Sequence, residues 1–308
     1  MSNLVSRWLK KLAGDDDSGR RTSEPVSLFE SIASHFILVV AVAFALYPVL
    51  WVVSLAFSGS RPQTAQILPF PHDPTLSHLK AVVTSSRTTP EGETLWLFGR
   101  QFANSIIVAL ATAAVGVIIA IPTAYALARF RFLGKERGVA TLLATQMFPT
   151  VASAIPLYLM LDMLHLLNSR TGLVLCYAST SVPFAIFQLR AAFEAIPVDL
   201  EEAAMVDGAT RFEAFLRVVL PAARPAIAVT SLFAFMSAYN EFILAATLLS
   251  REEMFTLPVM LQRYIGEYSA EWERFAAGAL VVSIPVMALF YVAQRHLVAG
   301  LTSGGVKG

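Results

Sequence analysis

Six stretches of this chain are too long and too apolar to be held in water, and that decides most of what it can fold into. The first, near residues 35–57, reads HFILVVAVAFALYPVLWVVSLAF. A helix needs about 20 predominantly apolar residues to cross the hydrocarbon of a bilayer. Lipid offers the backbone no hydrogen-bond partner, so a spanning segment satisfies its own amides as a helix. Further stretches lie near 102–128, 139–161, 172–193, 225–249 and 275–298, the third and fourth interrupted by prolines and polar residues. The expected fold is an all-α integral membrane protein with six transmembrane helices. Residues 1–33 read as a cytoplasmic tail, 34–298 as the membrane domain and 299–308 as a second cytoplasmic tail.

Composition agrees. Of the 308 residues, 56% are hydrophobic and 15% charged, against about 25% charged in an ordinary soluble domain. A net charge of +1 leaves no basic surplus to neutralise phosphates, which excludes a nucleic-acid partner. Cys176 is the single cysteine and reads as a small buried hydrophobe. The basic start, with Arg7, Lys10 and Lys11, runs into Asp15–Asp17 rather than an apolar core, so no cleaved signal peptide is expected. Residues 3–12 place Leu4, Val5, Trp8, Leu9 and Leu12 on one helical face, which suits either an interfacial helix or a solvated tail.

Short cytoplasmic loops retain Lys and Arg. Arg129, Arg131, Lys135 and Arg137 crowd the loop after the second stretch, and Arg190, Arg211, Arg217 and Arg224 follow the fourth. The loop after the third offers only Arg170. Both termini are therefore expected in the cytoplasm, with residues 58–101 and 250–274 outside.

The longest polar insertion on the inner side is a charged pair of short helices. Pro197 ends the preceding helix; Asp199 is placed to cap a new one, with Glu202 three residues on to reach back. Gly208 is the expected stop, because glycine accepts the left-handed conformation that closes a helix. Thr210 and Glu213 form a second capping box, and Pro221 follows the last turn. Phe212, Phe215, Leu216 and Val219 recur at helical spacing as one apolar stripe. Ala203 and Ala204 are small enough to admit a close neighbour. The residues alone leave two readings: the pair folds back on its own spans, or it is a knob for a soluble partner's groove.

Glu202-Ala203-Ala204, Asp207-Gly208-Ala209, Leu220-Pro221 and Pro225 together resemble the EAA loop of the membrane subunits of ABC importers, here at about residues 197–225. The resemblance implies that the pair is a coupling helix seated in a cleft of a separate ATPase. Glu202, Ala203, Ala204, Asp207, Gly208, Phe212, Phe215, Leu220 and Pro221 would then carry the docking, Gly208 because a β-carbon would clash in the turn. No G-x-x-x-x-G-K-[ST] phosphate loop occurs, so the chain is expected to be no enzyme itself, with ATP and Mg bound by the partner. The histidines show no ligand spacing, and no metal site is expected.

Three more stretches resemble the carbohydrate importers, and the maltose/maltodextrin type in particular. They are Tyr239-Asn240-Glu241-Phe242, the segment from Phe255 to Trp272 and Phe275-Ala276-Ala277, and the tail from Gln294 to Gly308. The resemblance covers roughly residues 30–308. It implies a homologous second membrane subunit, two ATPase subunits, an extracytoplasmic sugar-binding protein and alternating access in a bacterial inner membrane. It also implies that the tail, through Ser303, Gly304, Gly305, Val306 and Lys307, reaches between the ATPases, and that residues 250–274 probe the binding protein. In that type most sugar contacts belong to the other membrane subunit.

Polar residues within the spans are candidates for the route. Tyr239, Asn240 and Glu241 lie in the fifth, where an acidic side chain is costly by roughly 2.5–3.5 kcal/mol. Glu241 reads as interhelical glue or as pathway lining. Gln146, with Thr150 and Ser153, sits where Pro149 and Pro156 free carbonyls. Trehalose, other glycosides and glycerol phosphate are alternative solutes; an ion-coupled secondary transporter and a membrane scaffold are alternative classes.

Overall fold

The computed structural model describes residues 28–59, 69–71, 73–90, 92–266 and 270–303, with side chains from 29 to 294. The basic N-terminal segment and residues 304–308 lie outside the described residues. Contacts divide the chain into two units, residues 1–50 and 51–308. In the first, the helix α1 (Leu28–Phe57) begins, and residues 29–50 expose nearly all of their apolar side chains, Phe44 and Phe29 above all. Such a surface is stable only under lipid or another apolar partner.

In the second unit a short helix α2 (Ser77–Val83) and a hairpin of β1 (Ser86–Thr88) and β2 (Thr94–Trp96) lead into α3 (Leu97–Arg129). The helices α4 (Lys135–Gln146) and α5 (Thr150–Met163) follow, then α6 (Arg170–Glu194). The short α7 (Asp199–Val206) precedes α8, helical from Arg211 to Ala222, and α9 (Arg224–Tyr239). The chain closes with α10 (Ile243–Leu248), α11 (Leu257–Gln262) and α12 (Trp272–Ser303).

Among the described residues, four helices are long and apolar enough to cross a membrane, and two bent pairs bring the number up to six. Pro149 breaks the third expected span: α4 and α5 meet at 97°, because proline disfavours helix in the residue before it and lacks an amide. Pro156 leaves α5 intact. The second bent pair is α8 and α9, at 71°. The expectation of one continuous helix over 225–249 is corrected: the chain leaves the helix at Asn240–Phe242, with no proline or glycine there, and restarts as α10.

The core is a seam between α3 and α6. Ala109, Ala113, Gly116, Ala120 and Ala124 recur on one buried face of α3, opposite Ala178, Ala185 and Leu189 of α6. Small residues let membrane helices approach until their backbones nearly touch, which is where van der Waals packing replaces the missing hydrophobic drive. At the N-terminal end of α3, three buried polar side chains hold the segment after α10. Gln101 donates to the Glu252 carbonyl (3.0 Å), and Asn104 to those of Glu253 (2.9 Å) and Phe255 (3.1 Å). The Ser105 hydroxyl accepts from Leu257 N–H (2.7 Å), and Arg170 of α6 donates to Asn104 (2.8 Å). Residues 250–266 are thereby fastened to the bundle.

Candidate functional site: the outward face of the short helix pair

Helix α7 is too short to persist alone, and its local chemistry differs from the expected cap. Val198 occupies the N-cap position and no side chain caps the helix, so Asp199 and Glu202 do not form a capping box. Asp199 is already helical, which denies it the extended backbone a capping residue needs. The second box is present. Thr210 Oγ1 accepts from Glu213 N–H (3.3 Å), and the Glu213 carboxylate accepts from Thr210 N–H (2.9 Å). Those bonds from Thr210, with Arg217 nearby, hold the Glu213 carboxyl below the usual carboxylate range.

Between the helices Gly208 has φ +95°, and a β-carbon there would meet nothing within 4 Å. The expected clash is therefore corrected. Glycine is needed because an L-residue is strained at positive φ, whatever the space around it.

What holds α7 is Glu201, the neighbour of the residue singled out from the sequence. Its side chain is buried, and its carboxylate receives Arg129 Nε and the Tyr125 hydroxyl (2.8 Å) from the end of α3. Arg129 also donates to the Ile196 carbonyl (2.8 Å). Tyr125 and Arg129 are four residues apart and so share one helical face. Around them the Tyr125 ring lies 4.4 Å from that of Phe215 and meets Phe193 edge-on at 6.0 Å. Phe215 and Val219 are buried in this cluster. Burying each from water is worth roughly 1.5–3 kcal/mol.

The expected single stripe is corrected here too. Phe212 and Leu216 are exposed while Phe215 and Val219 are buried, and residues Phe215–Val219 form a π-helical turn that changes the angular spacing within it. That wider turn carries the helix through Pro221, which does not end it.

With Glu201 turned in, a continuous face is left outward. Glu202, Ala203, Asp207 and Gly208 are exposed, with Val206 at 87% and Phe212 at 68%. Ala204, Leu220 and Pro221 are half-buried. Val206 was missed in the sequence, although an apolar residue just before a helix-closing glycine was a visible signal. The arrangement suits docking by shape and apolar contact.

The polar residues of the spans fall into two places. Gln146, Thr150 and Ser153 meet Ser179 and Thr180 around a hollow of about 210 Å³ at the bend between α4 and α5. Gln146 donates to the Thr180 carbonyl (3.1 Å). Ser153, Ser179 and Thr180 donate to carbonyls of their own helices, which leaves their oxygens able to accept. Tyr239, Asn240 and Glu241 do not line this hollow. Tyr239 is buried and donates to the Val282 carbonyl of α12 (2.8 Å), and Asn240 is exposed. Glu241 accepts from the amides of Leu244 (2.9 Å) and Ala245 (3.1 Å), so its carboxylate caps α10. Ser303 ends α12; Gly304, Gly305, Val306 and Lys307 lie outside the described residues. Among the described residues, no group of three or more His, Cys, Asp or Glu is placed to hold a metal ion.

Helices able to cross a membrane, together with a braced helix pair that exposes Val206 and Phe212, define a membrane protein with a surface suited to docking. The chain belongs to the family of binding-protein-dependent transport system inner membrane components, whose model matches residues 116–303. It is 44% identical to a putative ABC transporter permease of Streptomyces antibioticus, over 66% of this chain and 89% of that one. It is 36% identical to the sulfoquinovosyl glycerol transport system permease SmoH of Agrobacterium fabrum, over 85% of this chain and 89% of that one. Identity is 34% with the maltose/maltodextrin permease MalG of Vibrio vulnificus, over 90% and 95% respectively. Among solved structures, a bacterial ABC transporter that imports the acidic polysaccharide alginate superposes with a TM-score of 0.71 at 26% identity, covering 91% of this chain and 99% of that chain. The chain is thus a permease subunit of a binding-protein-dependent ABC importer.

Proposed function

We propose that this chain carries a sugar, either maltose, maltodextrin or a related glycoside, across the inner membrane of a bacterium. It pairs with a homologous second membrane subunit, two ATPase subunits that hold ATP and Mg, and an extracytoplasmic binding protein. The observation that carries the reading is the face of Glu202, Ala203, Val206, Asp207 and Phe212, exposed while its neighbour Glu201 ties the same helix to the spans. A purely structural fold-back would bury that face. The sugar class is supported by relatives whose names specify maltose/maltodextrin, trehalose, galactooligosaccharides and sulfoquinovosyl glycerol.

In this mechanism both termini and α7–α8 face the cytoplasm, as the basic loops require. ATP draws the two ATPases together, the docked helix pairs follow, and the spans turn the cavity outward to receive sugar from the binding protein. Hydrolysis then restores the inward state. The C-terminal tail contacts the ATPases, and the segment fastened by Gln101, Asn104 and Ser105 meets the binding protein. The uncharged hollow beside Gln146, lined by hydroxyls and an amide, suits a neutral polyol.

The test is vanadate-sensitive ATP hydrolysis by the complex that co-purifies with the chain, with binding protein, across a panel of glycosides. Stimulation by a maltodextrin, lost in Gly208→Pro, is the expected result. Absence of any co-purifying ATPase overturns the assembly, and stimulation by a different solute alone overturns the sugar.

A further inference from the structure

A concave surface lies next to the helix pair, whose Arg211 sits 5.4 Å over the Phe130 ring, one residue before the first lining residue, Arg131. The turn after α3 and one side of α4 as far as Leu143 border an open hollow of about 980 Å³ together with Arg190 of α6. This is the upper part of the range for small-molecule sites. Its rim carries Arg131, Lys135, Arg137 and Arg190. Arg190 pairs with Glu194 (2.7 Å), and Lys135 reaches only the Phe130 carbonyl. Among the described residues, neither Arg131 nor Arg137 has a carboxylate within ion-pair distance. Glu136 is the single acid in the lining.

The same hollow displays apolar side chains that charge alone does not require. Gly134, at φ +85°, makes a tight turn that holds Phe132 half exposed and Leu133 fully exposed. Val139, Ala140 and Leu143 of α4 line the wall beside them. The positive-inside rule accounts for basic residues in this loop. It does not account for a concavity, or for Leu133 held out beside the cations.

We infer that this hollow is a binding site for an anionic phospholipid of the inner leaflet. Arg131, Lys135 and Arg137 take the phosphate, and Phe132, Leu133 and Leu143 meet the upper acyl chains. Charge complementarity selects the occupant. A cationic rim on which Arg131 and Arg137 have no carboxylate partner, at the level where spans leave the bilayer, attracts anionic headgroups, and adjoining apolar side chains favour a ligand that is itself amphipathic. A soluble protein partner would satisfy the cations but leave no reason for the fully exposed leucine at membrane level.

The chain, purified in detergent with whatever subunits accompany it, would be titrated with phosphatidylglycerol and phosphatidylcholine together and lipid adducts counted by native mass spectrometry. Phosphatidylglycerol is expected to be retained in preference. The triple variant Arg131→Gln, Lys135→Gln and Arg137→Gln is expected to lose it by at least about tenfold, since each basic residue near an anionic surface is worth about fivefold. Arg131→Lys with Arg137→Lys keeps the charge and is expected to retain the lipid, which separates lost binding from lost fold. Equal retention of the two lipids, or an unchanged triple variant, overturns the inference. So does loss of an accompanying protein subunit from the triple variant, which would make the hollow a protein interface.

Discussion

Arg129, the last residue of α3, and Glu201, in the first turn of α7, form a buried ion pair across 72 residues of sequence, with the Tyr125 hydroxyl on the second carboxylate oxygen. This contact fixes which face of α7 is presented outward. It makes Glu201 a positioning residue for its exposed neighbour, Glu202.

Removing one partner of such a pair leaves the other charged and buried, which costs about 3–5 kcal/mol. Arg129→Met is expected to lower the melting temperature of the purified chain and to reduce ATPase co-purification. Adding Glu201→Leu is expected to restore more of the melting temperature than of the co-purification, because the double variant removes the stranded charge without restoring the pose. Melting of Arg129→Met with the wild type would refute the bracing role.

Gly208 has a left-handed backbone with open space around it. Substitutions should therefore rank by backbone preference, not by volume. Asn, which tolerates this region, is expected to retain most transport. Ala is expected to lose about 1–2 kcal/mol, and the β-branched Val more. Uptake and thermal melting of the three variants check the order; equal damage from Asn and Val would restore the steric explanation.

Much of this was legible in advance, and the misses have local causes. Long apolar runs locate spans because lipid leaves them no alternative, and the Thr210–Glu213 box and Gly208 announce themselves by residue type. Two adjacent acids, Glu201 and Glu202, look alike in sequence. Which one turns inward depends on the roll of a short helix against Tyr125 and Arg129, and nothing local encodes that roll. The break at Asn240–Phe242 was hidden because its cap is a glutamate, which reads as an isolated charge until Leu244 and Ala245 are seen to donate to it.

Glu241 supplies acceptors to two amides that lipid would not satisfy. Glu241→Gln keeps an acceptor oxygen and is expected to be tolerated with less than about threefold loss of transport. Glu241→Leu leaves both amides unpaired at a cost of several kcal/mol and is expected to abolish assembly in the membrane. A Gln variant as damaged as Leu would assign the role to the charge instead.

In the segment after α10, Glu252 bonds Arg263 and lies 3.4 Å from Arg87. The hydrogen bond from Arg263, with both guanidinium charges, holds its carboxyl below the usual carboxylate range. A depressed folded-state pKa gives stability that is fully present above the unfolded value of about 4.3. That stability is lost as pH falls through the folded value. Protection of residues 252–266 against amide exchange, measured relative to the intrinsic rate at each pH, is therefore expected to hold from neutral pH to about pH 5 and to fall only under stronger acid. Glu252→Gln should be less protected at neutral pH and lose that acid step.

Helix α3 runs for 33 residues, about 50 Å at the α-helical rise. Arg129 and Tyr125 grip α7 at one end; Gln101, Asn104 and Ser105 grip the segment after α10 near the other. A rod clamped at both ends cannot tilt at one without carrying the other. A displacement at one end of α3 would then be carried to the other along the helix itself, through the turn that holds Pro122.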